Sequence, residues 1–195
     1  MRVLAILAHP RKESLSGHFF YKTVDHLKTK GIEVDVLDLY DRKDEIPFYV
    51  QAGASGWDDQ QGLAKYPFYL ETKERFMAAD RIFMVYPLYW YAVPGILKCW
   101  IDLITNYAWN FEKGPYGIPL HKIKKAFVVN SASMSNWFRW LRTRNSGTEM
   151  VKESFKFFGI HDYYFYEIGN TGKLNQEKID RHLQKIIKNA DWLVS

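Results

Sequence analysis

The sequence predicts an α/β fold: one doubly wound, five-stranded parallel sheet with helices on both faces. Three observations carry that prediction. Short unbroken apolar runs such as Val3-Leu-Ala-Ile-Leu-Ala8 have the character of strands covered on both faces. Segments with apolar residues at spacings near 3.6 alternate with those runs along the chain. The connections are mostly short, as in βαβ units, whose crossover is right-handed. The 195 residues suit one domain, 1–195, and 47% apolar residues suffice for a substantial core.

Taken in order, residues 3–8 form the first strand and His9-Pro-Arg-Lys-Glu-Ser14 a polar loop. Leu15, Phe19, Phe20, Val24 and Leu27 mark a helix that Gly31 closes. Val34, Val36 and Leu39 alternate with Glu33, Asp35 and Asp38, the pattern of an edge strand with one covered face. A helix over residues 70–79 leads into a strand over 82–86. Pro87 has no N–H to donate and stops that ladder, and Pro94 launches a helix over 95–106. A strand over 126–130, a helix over 148–158, a fifth strand over 163–168 and a final helix over 176–193 follow. At this length the natural strand order is 2-1-3-4-5. Two stretches exceed the scheme. Residues 41–69 hold Pro47, Gly53, Gly56, Trp57, Gly62 and Pro67, and residues 108–125 hold Gly114-Pro115 and Gly117. Loops of such length in a compact domain are usually functional or interfacial.

The net charge of +5 comes from 27 basic and 22 acidic side chains, with no long lysine or arginine tract. That modest excess argues against a nucleic-acid partner. Cys99 is the one cysteine, so no intramolecular disulfide can form, which suits a reducing cytosol. Residues 2–8 are too short for a signal peptide, and no apolar run reaches the roughly 18 residues of a membrane span. A cytoplasmic protein is expected. The histidines lack metal-ligand spacing, and no Gly-x-Ser-x-Gly elbow is present, so neither a zinc site nor an α/β-hydrolase is expected.

Two stretches carry chemistry. Residues 86–102 place Tyr89, Trp90 and Tyr91 between the end of a strand and the start of a helix, where open α/β sheets bind ligands. Aromatics make up 17% of the chain, and a ring-rich core or a pocket for a flat ligand both account for that. In the first βα loop, Ser14 can cap a helix whose next N–H groups, Leu15 to Gly17, stay free for an anion. Ser16 adds a hydroxyl, His9 leaves the strand toward the same place, and Gly17 keeps the approach open. Neither G-x-G-x-x-G nor a Walker A pattern follows the first strand, which argues against the plain dinucleotide and P-loop sites.

Ala8-His9-Pro10 with Ser14-Leu15-Ser16, Ala78-Ala79-Asp80, Tyr86-Pro-Leu-Tyr-Trp-Tyr-Ala-Val-Pro-Gly-Ile-Leu-Lys98, Trp100-Ile-Asp102, Phe111-Glu-Lys-Gly-Pro115 and Lys124-Lys-Ala126 together form a pattern. The chain thereby resembles the flavodoxin-like NAD(P)H:quinone oxidoreductase family, including the ancillary oxidoreductases of potassium-efflux systems. The resemblance implies a tightly bound flavin, FMN before FAD because nothing in the sequence marks an adenosine site. It places the flavin phosphate at His9, Ser14, Leu15 and Ser16, and the isoalloxazine against Pro87, Leu88, Tyr89, Trp90 and Tyr91. Backbone N–H groups after the strand can bond the ring edge near N5 and O4. It also implies a homodimer with sites near the interface, NADPH or NADH as electron donor, and a quinone-like acceptor in a ping-pong cycle.

The fourth-strand loop departs from the family pattern. Well-known members have Thr-Thr-Gly-Gly there, followed by a Tyr and a His; here Asn130-Ser-Ala-Ser-Met-Ser-Asn136 has no glycine, and Phe138 and Arg144 stand nearest those two positions. Asn130, Ser131 and Ser133 can still bond the pyrimidine side of a flavin. Arg139, Arg142 and Arg144 stand among bulky rings, suited either to nucleotide phosphates and flavin cover or to the solvent face of a helix. A regulatory partner of a potassium-efflux transporter is the reading from another class. A one-electron carrier like flavodoxin is a third, against which the basic charge argues.

Overall fold

The computed structural model describes residues 1–47, 60–110 and 118–195. Trp57, Gly53 and Gly56 of the first long stretch, and Phe111-Glu-Lys-Gly-Pro115 of the second, lie outside the described residues. The chain runs β1 (Arg2–Leu7), α1 (Leu15–Thr29), β2 (Glu33–Asp38), α2 (Gln60–Ala64) and α3 (Pro67–Ala78). It continues through β3 (Arg81–Pro87), α4 (Gly95–Ala108), β4 (Trp109–Asn110), β5 (Ile118–Pro119) and β6 (Lys125–Ser131). Helices α5 (Asn136–Thr143) and α6 (Ser146–Phe157), strand β7 (Asp162–Ile168) and helix α7 (Gln176–Leu193) complete it.

The unbroken apolar runs have a simple cause. Side chains of β1 alternate between two buried faces: Leu4 and Ile6 enter one core, Val3, Ala5 and Leu7 the other. Strands β3 and β6 do the same, with Ile82, Met84, Ala126 and Val128 on the first face and Phe83, Val85, Phe127 and Val129 on the second. Helices α3, α4 and α6 cover the first face, and α1 and α7 cover the second. The sheet order is β2-β1-β3-β6-β7, every pair parallel. Counting strands of this sheet alone, that is the expected order, with β2 at the edge. The antiparallel pair β4–β5 stands apart from it.

Several expectations need adjusting. Helix α3 starts earlier than expected, at Pro67, which presets φ for a first turn. The Asn136–Thr143 stretch is a helix, α5, although the one arginine of its inner turn is buried rather than on a solvent face. Pro87 is still in register with Ser131, so the ladder ends at it rather than before it. The two-residue strands β4 and β5, and a 3-10 turn at Thr171–Lys173, were too short to show any period.

Many rings belong to the core. Phe83, Phe127 and Tyr164 occupy one cross-strand row. With Phe20 of α1 they stack in sequence at centroid distances of 5.7, 5.5 and 6.0 Å. Such offset pairs add about 0.5–1.5 kcal/mol each beyond area burial. The ring-rich core therefore accounts for much of the aromatic content, and residues 89–91 stand outside it.

Strand β1 feeds α1 on one face while neighbouring β3 feeds α4 on the other. The chain diverges between them, opening a crevice at the carboxyl end of the sheet.

Candidate functional site

Two adjoining cavities occupy that crevice and share Leu88, Tyr89, Ala132 and Ser133. The inner one, about 310 Å³, is walled by His9, Arg11, Ser14, Leu15, Ser16, Pro87, Ser131 and Thr171. The outer one, about 370 Å³, adds Trp90, Tyr91, Met134 and Arg139. Both volumes fall in the range of small-molecule sites. Loops after β1, β3 and β6 thus converge, and all but one of the residues expected at the site line one cavity or the other.

The inner cavity is built for an anion. Ser14 caps α1, its Oγ accepting from the Gly17 N–H at 3.1 Å. Among the described residues, the N–H groups of Leu15 and Ser16 alone in this first turn have no partner, two donors rather than the three expected. Gly17 also has a different role from the expected one. A Cβ there would lie 1.9 Å from the Lys12 carbonyl oxygen, so glycine is required where the loop doubles back on the helix. Across the cavity, Ser16 Oγ lies 3.3 Å from Ser131 Oγ, joining the β1 and β6 loops. Arg11 and Thr171, which nothing in the sequence singled out, add a guanidinium and a hydroxyl.

His9 Nδ1 lies 2.9 Å from the Arg11 carbonyl oxygen and 3.1 Å from the Arg11 N–H. Burial pulls the imidazole below its ordinary pKa, with the carbonyl bond opposing. Neutral and with Nδ1 accepting the Arg11 N–H, the ring has its Nε2–H left to donate to a ligand.

The turn after β3 is strained. Tyr89 and Ala92 exchange both N–H···O bonds at 2.9 Å, while Trp90 and Tyr91 take φ of +49° and +66°. Two positive φ values in a two-residue turn define type I′, where Asn and Gly are the usual occupants. Bulky residues in the left-handed region cost of order 1–2 kcal/mol each. Leu88 N–H is spent on the Ser131 carbonyl at 2.8 Å and Tyr89 N–H on Ala92, so within this turn only the N–H groups of Trp90 and Tyr91 lack a partner among the described residues. Trp90 is 90% exposed, so no packing of its side chain repays the strain. Helix α6 holds the turn from behind: Ser146 Oγ donates to the Tyr91 carbonyl at 3.0 Å. Gly147 lies so close that a Cβ would meet both Leu88 Cδ2 and Tyr91 O at 2.7 Å.

Asn130 corrects one expectation: it lines neither cavity. It is fully buried, and its Nδ2 donates to Thr148 Oγ1 at 3.1 Å and Glu167 Oε1 at 3.5 Å. Its place in the register, opposite Tyr86, turns the side chain toward α6 rather than into the crevice. Thr148 also donates to Glu167, and Arg139 reaches Glu167 Oε2 at 3.5 Å. Tyr86, buried beside this network, has its phenol pushed well above the usual range by burial.

Of the three arginines of residues 139–144, the structure separates one from the others. Arg139 is 2% exposed and faces the outer cavity. Arg144 stacks on Trp140 at 4.2 Å, and Arg142 is exposed.

A flat ring with a phosphate-bearing tail fits this crevice: paired free N–H groups stand at both ends and hydroxyls between. Sheet order, crevice and loop chemistry define a protein of flavodoxin architecture. The chain belongs to the flavodoxin-like fold family Flavodoxin_2, whose sequence model matches residues 1–190. It is 25% identical over 181 residues to the uncharacterized NAD(P)H oxidoreductase YcaK of Escherichia coli, covering 91% of this chain and 88% of that one. It is 35% identical over 136 residues to FMN-dependent NADH:quinone oxidoreductase 3 of Halalkalibacterium halodurans, covering 60% and 63%. It spans about half the length of other relatives, 49% for rat NAD(P)H dehydrogenase [quinone] 1. The FMN-dependent NADH-azoreductase of Bacillus anthracis, solved in complex with FMN, superposes with a TM-score of 0.80 over all of both chains at 20% identity. At that identity the likeness shows the fold.

Proposed function

We infer that this protein is a flavin-dependent NAD(P)H oxidoreductase that passes two electrons from a reduced nicotinamide to quinones or similar acceptors, with FMN as its resident cofactor. One observation carries the reading: backbone donors without a partner among the described residues stand at both ends of one crevice, Leu15 and Ser16 at a helix N-terminus, Trp90 and Tyr91 at a strained turn. FMN, when bound, supplies the hydride-accepting and hydride-donating ring.

The residues divide the work along the crevice. His9, Ser14, Leu15 and Ser16 hold the phosphate through the helix N-terminus, with Arg11 adding charge. Pro87, Leu88, Ala132 and Met134 would wall the ring, and the Trp90 and Tyr91 N–H groups would donate to its edge. Ser131 and Ser133 offer hydroxyls between those ends, whereas Asn130 supports the wall from beneath. The nicotinamide, then the acceptor, would enter in turn beside Trp90, which is consistent with ping-pong turnover. Close stacking supplies orientation, and the apolar wall excludes water from the transfer.

The names of the relatives support FMN and NADH or NADPH as the pair of cofactors. No helix among the described residues is long and apolar enough to cross a membrane, and the lone Cys99 suits the cytoplasm as compartment. Trp137, Trp140 and Leu141, exposed on α5 beside the outer cavity, support a homodimer. The resemblance to potassium-efflux ancillary oxidoreductases extends the proposal to association with such a transporter, which a pull-down with the membrane protein tests.

The decisive experiment is the visible absorbance spectrum of the purified protein, followed by anaerobic bleaching with NADPH or NADH and reoxidation by a quinone. A colourless protein that takes up neither FMN nor FAD sinks the reading.

A further inference from the structure

Arg139 stands on the inner turn of α5, 2% exposed, and borders the outer cavity with Ala132, Ser133 and Met134. Its Nη2 donates to Asn136 Oδ1 at 2.8 Å and lies 3.5 Å from Glu167 Oε2. Its Nε and Nη1 are buried and have no acceptor among the described residues. Buried donors on a charged group are rarely left unmatched, and where they are the arrangement calls for a ligand or an explanation. Glu167 does not supply one. Its carboxylate is already engaged by Thr148 and lies at 3.5 Å from the Asn130 and Asn145 amides. Besides Glu167, the buried Tyr86 phenol is the titratable group that faces Arg139.

Resting on the flavin reading above, we propose that Arg139 is the positioning residue for the ring end of the cofactor, its free guanidinium nitrogens donating to the pyrimidine edge of the isoalloxazine. The placement follows from the loops. The β3 turn offers its N–H groups from one side of the outer cavity, and the β6 loop with Arg139 closes the other. The pyrimidine edge is rich in acceptors, and a planar fork of N–H donors matches adjacent acceptors better than a point charge does. Two-electron reduction makes that ring more negative, and a desolvated cation beside it stabilises the reduced form. Arg139 thereby sets how readily the ring accepts hydride, and Glu167 moderates it by drawing off part of the charge.

The test uses the FMN-loaded protein and reads two quantities other than turnover: the midpoint potential, and the affinity for sulfite, which adds to flavins in proportion to their electron deficiency. Arg139→Met should lower the potential and weaken sulfite binding about tenfold or more, the loss expected for a hydrogen bond from a charged group. Arg139→Lys should fall between, keeping charge without the fork. Glu167→Gln should move both quantities the other way, because it frees the guanidinium charge. Should Arg139→Met fail to fold, the lysine and glutamine variants decide the matter. Unchanged sulfite affinity in both, or shifts of the same sign, would reduce Arg139 to a structural partner of Glu167 and overturn the proposal. A wild-type protein that binds no flavin would instead overturn the reading beneath it.

Discussion

Gly147 and Tyr91 stand in closer contact than any side chain at 147 would permit: a Cβ there would lie 2.7 Å from the Tyr91 carbonyl oxygen. Helix α6 is thus the backstop of the strained turn, and Ser146 Oγ fixes the same carbonyl at 3.0 Å. Backbone atoms cannot move aside as a flexible side chain can. Gly147→Ala should therefore cost about 1–3 kcal/mol by overpacking. In a chain of this size that lowers Tm by roughly 2–12 °C. It should also push the Trp90 and Tyr91 N–H groups out of place, so FMN affinity should fall along with stability. Calorimetry and an FMN titration check both. A variant of wild-type Tm and affinity would show that the turn does not lean on α6.

Trp90 poses the opposite case. Its left-handed backbone costs of order 1–2 kcal/mol. Its indole is 90% exposed and contributes little packing in return. Glycine carries no such penalty, although its freer unfolded state takes back roughly 0.5–1 kcal/mol. Trp90→Gly should leave Tm unchanged or raise it by about 2–4 °C while weakening FMN retention at least about tenfold. Thermal melts without added flavin and fluorescence titration with FMN read the two effects separately. A lower Tm, or undiminished retention, would mean the strain serves something other than the cofactor.

These contacts mark where sequence reading stops. The five strands of the main sheet were legible because burial on both faces leaves unbroken apolar runs such as residues 3–8, and the edge strand β2 betrayed itself by alternation. The residues at 9–16 and 87–91 were legible because each cluster is local. Gly147 was not, since its reason is a carbonyl at Tyr91, far away in the chain. Arg139 was hidden in an arginine-rich stretch that reads equally as a solvent face; helix α5 instead turns that one guanidinium inward and its rings outward. Asn130 was misplaced because alternation within β6 sends it to the α6 side of the sheet, one residue before the crevice begins at Ser131.

His9 makes the phosphate end sensitive to pH. In the free protein burial holds its imidazole below the ordinary pKa. A phosphate dianion seated beside it would raise that pKa, so binding takes up a proton between the two values. FMN affinity should then be highest below the free-state pKa and fall as pH rises through the bound-state pKa. Each unit of separation is worth about tenfold. The cofactor phosphate titrates near pH ~6 itself, with the opposite sign, so the comparison must be with a variant. His9→Gln should keep the polar contact and lose this part of the pH profile. Parallel profiles for wild type and His9→Gln, measured by FMN titration, would remove His9 from the phosphate site.

Helix α5 carries its apolar side outward: Trp137, Trp140 and Leu141 are 68%, 53% and 59% exposed. Single exposed apolar residues are ordinary, but three bulky ones within five positions form a patch of the kind that marks an interaction surface. Arg139, on the same helix, faces the outer cavity, so the patch lies on the opposite face of the helix that walls the site. The proposed second copy of the chain would cover it, because an isologous contact pairs each patch with its like. Replacing Trp137 and Trp140 together with glutamate should split such a dimer, since like charges would then face each other across the symmetry axis. The rings are exposed in the single chain, so the fold should survive with Tm within a few degrees of the monomer's own value. Light scattering after size exclusion gives the answer directly: wild type at twice the chain mass and the double variant at one. A double variant that stays dimeric places the interface elsewhere, and a wild type that is monomeric at micromolar concentration removes the second copy as the partner of this helix.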